Sequence, residues 1–239
     1  SGLAATTCLY LPGAVLRSLL SDLRTVSAAM NASSFDAKAE NYDTPERVAR
    51  AQTWVEALLR EAGPDTSSIV ADYGAGTGLL AFALAPQVAE VIALDNSAGM
   101  LAALEEKCRI SATGNVRGQF FDSETQEIDS GICDVFVASL VLHHLREPER
   151  FVSTAWRALR PGGRVAVIDL EPEGGEFHAD HSGVHHHGFE REALEALFMA
   201  GGFTKLRFCS VPPIRKPSRS GPERDFPLFM LVADKPLEE

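Results

Sequence analysis

The sequence is short of cysteine, of basic charge and of long apolar runs, and each shortage removes a class of protein. Its 239 residues include four cysteines, Cys8, Cys108, Cys133 and Cys209, with no CxxC pair among them. Cys133 and Cys209 fall in strand-like runs and read as small buried apolar side chains rather than metal or redox groups, which suits a reducing compartment. Lys and Arg total 22 against 33 Asp and Glu, a formal net charge of −11. So few cations speak against nucleic acid as the main partner, because affinity for a phosphate backbone comes mostly from positive charge. No apolar run approaches the ~20 residues that cross a bilayer, so no membrane span is expected and the cytoplasm is the expected compartment. No HExxH spacing is present either, and no metal site is assigned.

What remains is ordinary globular material, 45% hydrophobic and 23% charged, in a length that suits one large α/β domain with an appendage. Residues 1–43 read as an N-terminal helical extension or lid, and residues 44–239 as the main domain. Within the extension Leu16, Leu19, Leu20, Leu23 and Val26 share one helical face, flanked by Arg17 and Arg24. That pattern is a helix capping the domain or a homodimer; its alternative is a mitochondrial transit peptide. Ser1-Gly2, in place of an initiating Met, reads as an expression remnant.

From Thr44 the pattern alternates. Thr44-Pro45 starts a helix that Gly63-Pro64 stops. Strands are expected at 67–73, 91–95, 116–121, 133–140, 164–170, 203–211 and 226–234. Helices run to Ala85, from Ser97 to Cys108, from about Pro148 to Arg160, and from Phe189 to Ala200. Apolar strands separated by helices mean right-handed crossovers and a parallel sheet covered on both faces. The last two strands are joined by "PPIRKPSRSGPERD", a polar loop without a helix, so the final strand is expected to pair antiparallel.

"VADYGAGTGLL" follows the first strand with glycines at 74, 76 and 78. Bare backbone at the carboxyl end of a parallel strand can turn sharply and offer main-chain N–H groups to a ligand. Asp95 ends the second strand nineteen residues past Gly76, where a carboxylate can accept both hydroxyls of a ribose. The spacing GxGxG departs from the GxGxxG of dinucleotide sites, and Asp72 stands two residues before the first glycine. That charge would repel a pyrophosphate and attract an ammonium or sulfonium, so S-adenosyl-L-methionine is favoured over NAD.

These segments resemble the class I S-adenosylmethionine-dependent methyltransferases. "VADYGAGTG" looks like their first motif and "VIALDNSAGML" their second-strand acidic motif. "DVFVASLVLHHL" and "ALRPGGRVAVIDLEP" resemble the fourth- and fifth-strand motifs. "FDAKAENYD" is similar to the lead-in of the small-molecule type found in ubiquinone and menaquinone biosynthesis, and the likeness spans about residues 35–211. It implies a Rossmann-like seven-stranded, mostly parallel sheet with its last strand antiparallel. It also implies that Gly74, Gly76 and Gly78 line the methionine and ribose part, and that Asp95 binds the ribose. Asn96 and Met100 would lie beside the adenine, Asp122 would accept from its amino group, Ser139 would approach the methionine portion, and Tyr42 would close over the cofactor. One departure is "DSETQEIDSG", where the family often has an apolar–Pro segment after its third-strand acid.

All seven histidines fall between 143 and 187. Three readings compete: strand-end packing and solvated loop, a general base with an ordinary pKa near ~6.5, or a metal site from "HADH" and "HHH" that lacks strict ligand spacing. His144 and His186 are the candidate catalytic pair. Missing signatures narrow the acceptor. There is no [DN]PP[YF] of exocyclic-amine methylation, no pyrimidine C5 cysteine motif, and no Tyr-x-x-x-Lys pair of an NAD-linked reductase. A small-molecule methyl acceptor is expected; alternatives are a protein side chain, or a cofactor-binding regulatory or assembly protein without catalysis.

Overall fold

The computed structural model describes residues 42–237. The N-terminal extension and Cys8 lie outside the described residues, apart from Tyr42 and Asp43. Helix α1 (Pro45–Glu61) opens as its sequence dictates: the Thr44 hydroxyl accepts the Arg47 N–H, and Pro45 occupies the first turn. Then follow β1 (Ile69–Tyr73), α2 (Leu79–Leu84), β2 (Glu90–Asp95), α3 (Ala98–Ser111), β3 (Val116–Phe120) and β4 (Cys133–Ser139). The chain finishes with α4 (Pro148–Ala158), β5 (Leu159–Leu170), α5 (Arg191–Ala200), β6 (Thr204–Pro217) and β7 (Glu223–Asp234). No described helix is long and apolar enough to cross a membrane.

The seven strands lie in the order β3-β2-β1-β4-β5-β7-β6. β1 to β5 are parallel, and β7 runs antiparallel to both β5 and β6. Alternate strand residues feed two cores. Trp54, Leu58, Leu80, Leu84 and Leu104 pack on one face. Phe151, Ala155, Phe198 and Phe203 pack on the other. The strand order reverses between β1 and β4, which opens a crevice at their carboxyl ends.

Two boundaries differ from expectation. Most of the expected Pro-rich loop is strand: β6 and β7 stay paired out to Pro217 and Glu223, with the register shifted between Val211 and Ile214. Pro212 and Pro213 occupy that shift, on a strand with no further neighbour, where missing N–H donors cost the ladder nothing. Likewise "RPGG" is no helix terminus: α4 stops at Ala158, and residues 160–163 form an irregularity between the Cys133–Leu159 and Val135–Arg164 pairs.

Candidate functional site

The turn after β1 is tied to the end of β2. Gly74 and Ala75 donate to the Leu94 carbonyl at 2.8 and 3.0 Å, prolonging the ladder past the last strand residue. Gly76 N–H then donates to Asp95 Oδ2 at 2.7 Å, while Ser97 N–H donates to Oδ1 at 2.8 Å. Two backbone donors thus fix the carboxylate, which as an ion offers about four acceptor positions. The glycines adopt φ of 69°, 56° and 82°, the left-handed region. At Gly74 a Cβ would also lie 2.5 Å from Val141 Cγ2.

Asp72 lies buried at the end of β1, and neither of its carboxylate oxygens has a hydrogen-bond partner among the described residues. Burial, reinforced by the charge of Asp95, pushes its pKa up to about 7. An orphaned carboxyl of this kind fits a cationic ligand and opposes an anionic one.

A cleft opens in front of these residues. Tyr42, Gly74, Gly76, Asp95, Asn96 and Met100 line it. Asp122, Ser139, Val141 and His144 line it as well. Tyr73 lies at its base, its hydroxyl 2.7 Å from Ser123 Oγ. Asp122 caps its own turn, accepting from Glu124 N–H and the Thr125 hydroxyl, each at 3.0 Å. A second recess, lined by Arg47, Arg50 and Trp54, shares Gly74, Gly76 and Ser139 with the cleft.

The histidines divide between structural and accessible positions. His144 Nδ1 is 2.7 Å from the Gly183 carbonyl, and since a carbonyl only accepts, Nδ1 carries the proton. His186 Nε2 is 2.9 Å from the Leu145 carbonyl, and its ring lies against Phe189, behind the cleft wall. His143 is buried with Nδ1 2.7 Å from Asp169 Oδ1. Burial, together with His143 and His144, pushes the His178 pKa down to about 3, so its ring is neutral.

Residues 71–167 match the family model of a methyltransferase domain. The chain is 31% identical over 141 residues to a demethylmenaquinone methyltransferase of Clavibacter sepedonicus, covering 57% of this chain and 56% of that protein. It is 34% identical over 140 residues to a trans-aconitate 2-methyltransferase of Deinococcus radiodurans, covering 57% and 48%. The fold is that of the Haemonchus contortus phosphoethanolamine N-methyltransferase 2 solved with S-adenosyl-L-methionine. That likeness has a TM-score of 0.63 at 18% identity, covering 77% of this chain and 52% of that one. The chain carries a class I S-adenosylmethionine-dependent methyltransferase domain. It spans about half the length of the curated relatives it matches.

Within this methyltransferase domain the structure brings most of the sequence-predicted residues to one cleft: Tyr42, Gly74, Gly76, Asp95, Asn96, Met100, Asp122, Ser139 and His144. Three others stand apart. Asp72 lies beneath the glycine turn, and Gly78 caps α2, where its missing Cβ leaves room for Leu104. His186 is separated from His144 because each ring is committed to a different backbone carbonyl. Sequence reasoning did not assign Tyr73, Ser123 or Val141 to the cleft, since Tyr73 and Val141 fall in apolar strand-end runs and Ser123 in a polar loop. It also missed the His143–Asp169 pair, whose members lie 26 residues apart on adjacent strand ends.

Proposed function

We propose that the protein is a methyltransferase that uses S-adenosyl-L-methionine to methylate a small-molecule acceptor. The observation that carries the reading is the Gly76–Asp95 hydrogen bond of 2.7 Å, which sets a carboxylate suited to a ribose at the lip of the glycine turn. Beneath that turn the unpartnered Asp72 carboxylate favours a cation and opposes the pyrophosphate of a dinucleotide.

When bound, the cofactor supplies a methyl group already activated on a sulfonium, so the chain's own contribution is alignment and exclusion of water. Asp95 would hold the ribose, Asn96, Met100 and Asp122 the adenine, and Gly74, Gly76 and Ser139 the methionine portion. Asp72 would balance the ligand's ammonium or sulfonium from below. Tyr42 would shield the cleft. His144 lines the cleft and, with Nδ1 donating to the Gly183 carbonyl, would take a proton from an acceptor hydroxyl at Nε2. The recess at Arg47 and Arg50 supports entry of a small acceptor beside the methionine end, and the named relatives act on small molecules.

Calorimetry with S-adenosylhomocysteine and NADH side by side tests the cofactor: tighter NADH binding would overturn it. A screen of small-molecule acceptors, read as S-adenosylhomocysteine formation, tests the reaction. Binding without turnover on any acceptor would replace catalysis with a regulatory or assembly role.

A further inference from the structure

Three imidazoles converge beside the cofactor cleft. One ring nitrogen from each of His143, His144 and His178 lies within 4.8 Å of the others, and His143 Nε2 and His178 Nε2 are 3.0 Å apart. The ring centroids are 4.2, 5.0 and 5.3 Å apart. Three histidines around a tetrahedral zinc, each nitrogen about 2.0–2.1 Å from the ion, need nitrogens about 3.3 Å and rings about 5 Å apart. The ring separations and the His143–His178 nitrogen pair are close to that size, and the wider nitrogen separation, within 4.8 Å, closes on the ion by a small ring movement.

The outer nitrogens agree. His143 Nδ1 meets Asp169 Oδ1 at 2.7 Å, with both side chains buried. His144 Nδ1 meets the Gly183 carbonyl at 2.7 Å. Each partner holds a proton on Nδ1 and turns the Nε2 lone pair inward, which is how metal-ligating histidines are oriented by carboxylates and carbonyls behind them. Asp169 is itself fixed by the Leu170 N–H at 2.7 Å. The donors come from the turn after β4 and the loop after β5, neighbouring parallel strands whose carboxyl ends open together.

We propose that His143, His144 and His178 bind one divalent transition-metal ion, zinc by the character of the donors, with Asp169 as a positioning residue. The donor set differs from the one the sequence suggests. His178 comes from "HADH", but the "HHH" run is engaged elsewhere, His186 with the Leu145 carbonyl and His187 near Glu173. Three protein ligands are the number of catalytic zinc sites, which keep a fourth position for water or substrate. Because His144 also lines the cleft, the ion would take up the His144 Nε2 lone pair and replace it as the group that eases proton loss from an acceptor thiol or hydroxyl within reach. Metal binding itself does not depend on the methyl-transfer reading; only this use of it does.

The test uses the full chain, stripped with a chelator and titrated with Zn²⁺ and Co²⁺. The expected result is one equivalent of either ion, with the intense visible bands of tetrahedral Co²⁺. His178→Ala should weaken binding at least ~100-fold, and Asp169→Asn by ~10–100-fold with displaced Co²⁺ bands. His187→Ala, in the exposed run, should leave both unchanged. S-adenosylhomocysteine binding checks the fold of each variant, so failure of the metal site and failure of the cofactor reading give separate signals. No stoichiometric binding, or binding that survives His178→Ala and is lost in His187→Ala, overturns the proposal and leaves an imidazole–imidazole hydrogen bond in its place.

Discussion

Gly76 and Asp95, nineteen residues apart, are joined by a 2.7 Å hydrogen bond from backbone N–H to carboxylate Oδ2. The bond makes the loop that would cradle the cofactor and the acid that would hold its sugar one mechanical unit. Asp95→Ala therefore removes both the ribose acceptor and the anchor of the turn. Affinity for S-adenosylhomocysteine should fall ~10-fold or more, the scale of a charge-assisted pair of hydrogen bonds. Calorimetry reads this directly, and an unchanged affinity would remove Asp95 from the site.

Asp72 gives a pH dependence whose sign is fixed. Its folded pKa, raised by burial and then by Asp95, is about 7 against an ordinary 3.8. Below pH 4 both states hold the proton. As pH rises from about 4 to 7 the unfolded chain releases it while the folded chain does not, so stability falls by an amount on the order of 4 kcal/mol and then levels. Asp72→Asn should flatten that fall and raise the melting temperature at pH 8 relative to the parent. A cationic ligand prefers the ionised carboxylate, so binding of S-adenosyl-L-methionine, which carries a sulfonium, should tighten up to about pH 7 in the parent and lose that trend in the variant. Thermal melts at pH 5 and 8 and calorimetry across the same range check both.

Gly74 tests how closely the cleft wall is fitted. An alanine there would keep the unfavourable φ of 69° and push its methyl to 2.5 Å from Val141 Cγ2. Gly74→Ala should destabilise by about 1–3 kcal/mol. Adding Val141→Ala should recover the part due to collision and leave the backbone part, about 1–2 kcal/mol. Urea denaturation of the two single variants and the double variant separates the contributions.

The two candidate histidines should behave differently. His144→Ala should lower turnover on whichever acceptor the screen identifies, with S-adenosylhomocysteine affinity within about threefold of the parent. His186→Ala removes the contact with the Leu145 carbonyl and the packing against Phe189. It should reduce stability by about 1 kcal/mol and leave turnover intact, because the His186 ring does not line the cleft. Equal loss of turnover in both would return His186 to the reaction.

The parts legible in the sequence were those written in contiguous chemistry. Gly74, Gly76 and the acid at the end of the next strand mark the candidate crevice because they sit on strand ends, which apolar runs locate. The antiparallel last strand followed from the missing helix between the final two strands, although most of the segment that suggested a loop is paired. Pro212 and Pro213 misled because proline argues against a central strand, and only the sheet order shows that β6 is an edge. The grouping of His178 with His143 and His144 was hidden for another reason. Ligand spacing along a chain is informative when donors share a helix or loop, whereas these come from separate crossovers. Gly78 shared the glycine pattern, but its neighbour Leu104 comes from the following helix, so only packing reveals that its role lies in the core.

The proline pair on β6 has a bearing on self-association. A sheet grows from its rim when a second polypeptide lays a strand along an unbroken row of donors and acceptors. Here the outer rim is interrupted at two successive residues that can donate nothing, and the opposite rim, β3, is five residues long. Among the described residues, then, neither rim offers a second copy a long unbroken row along which to extend the sheet.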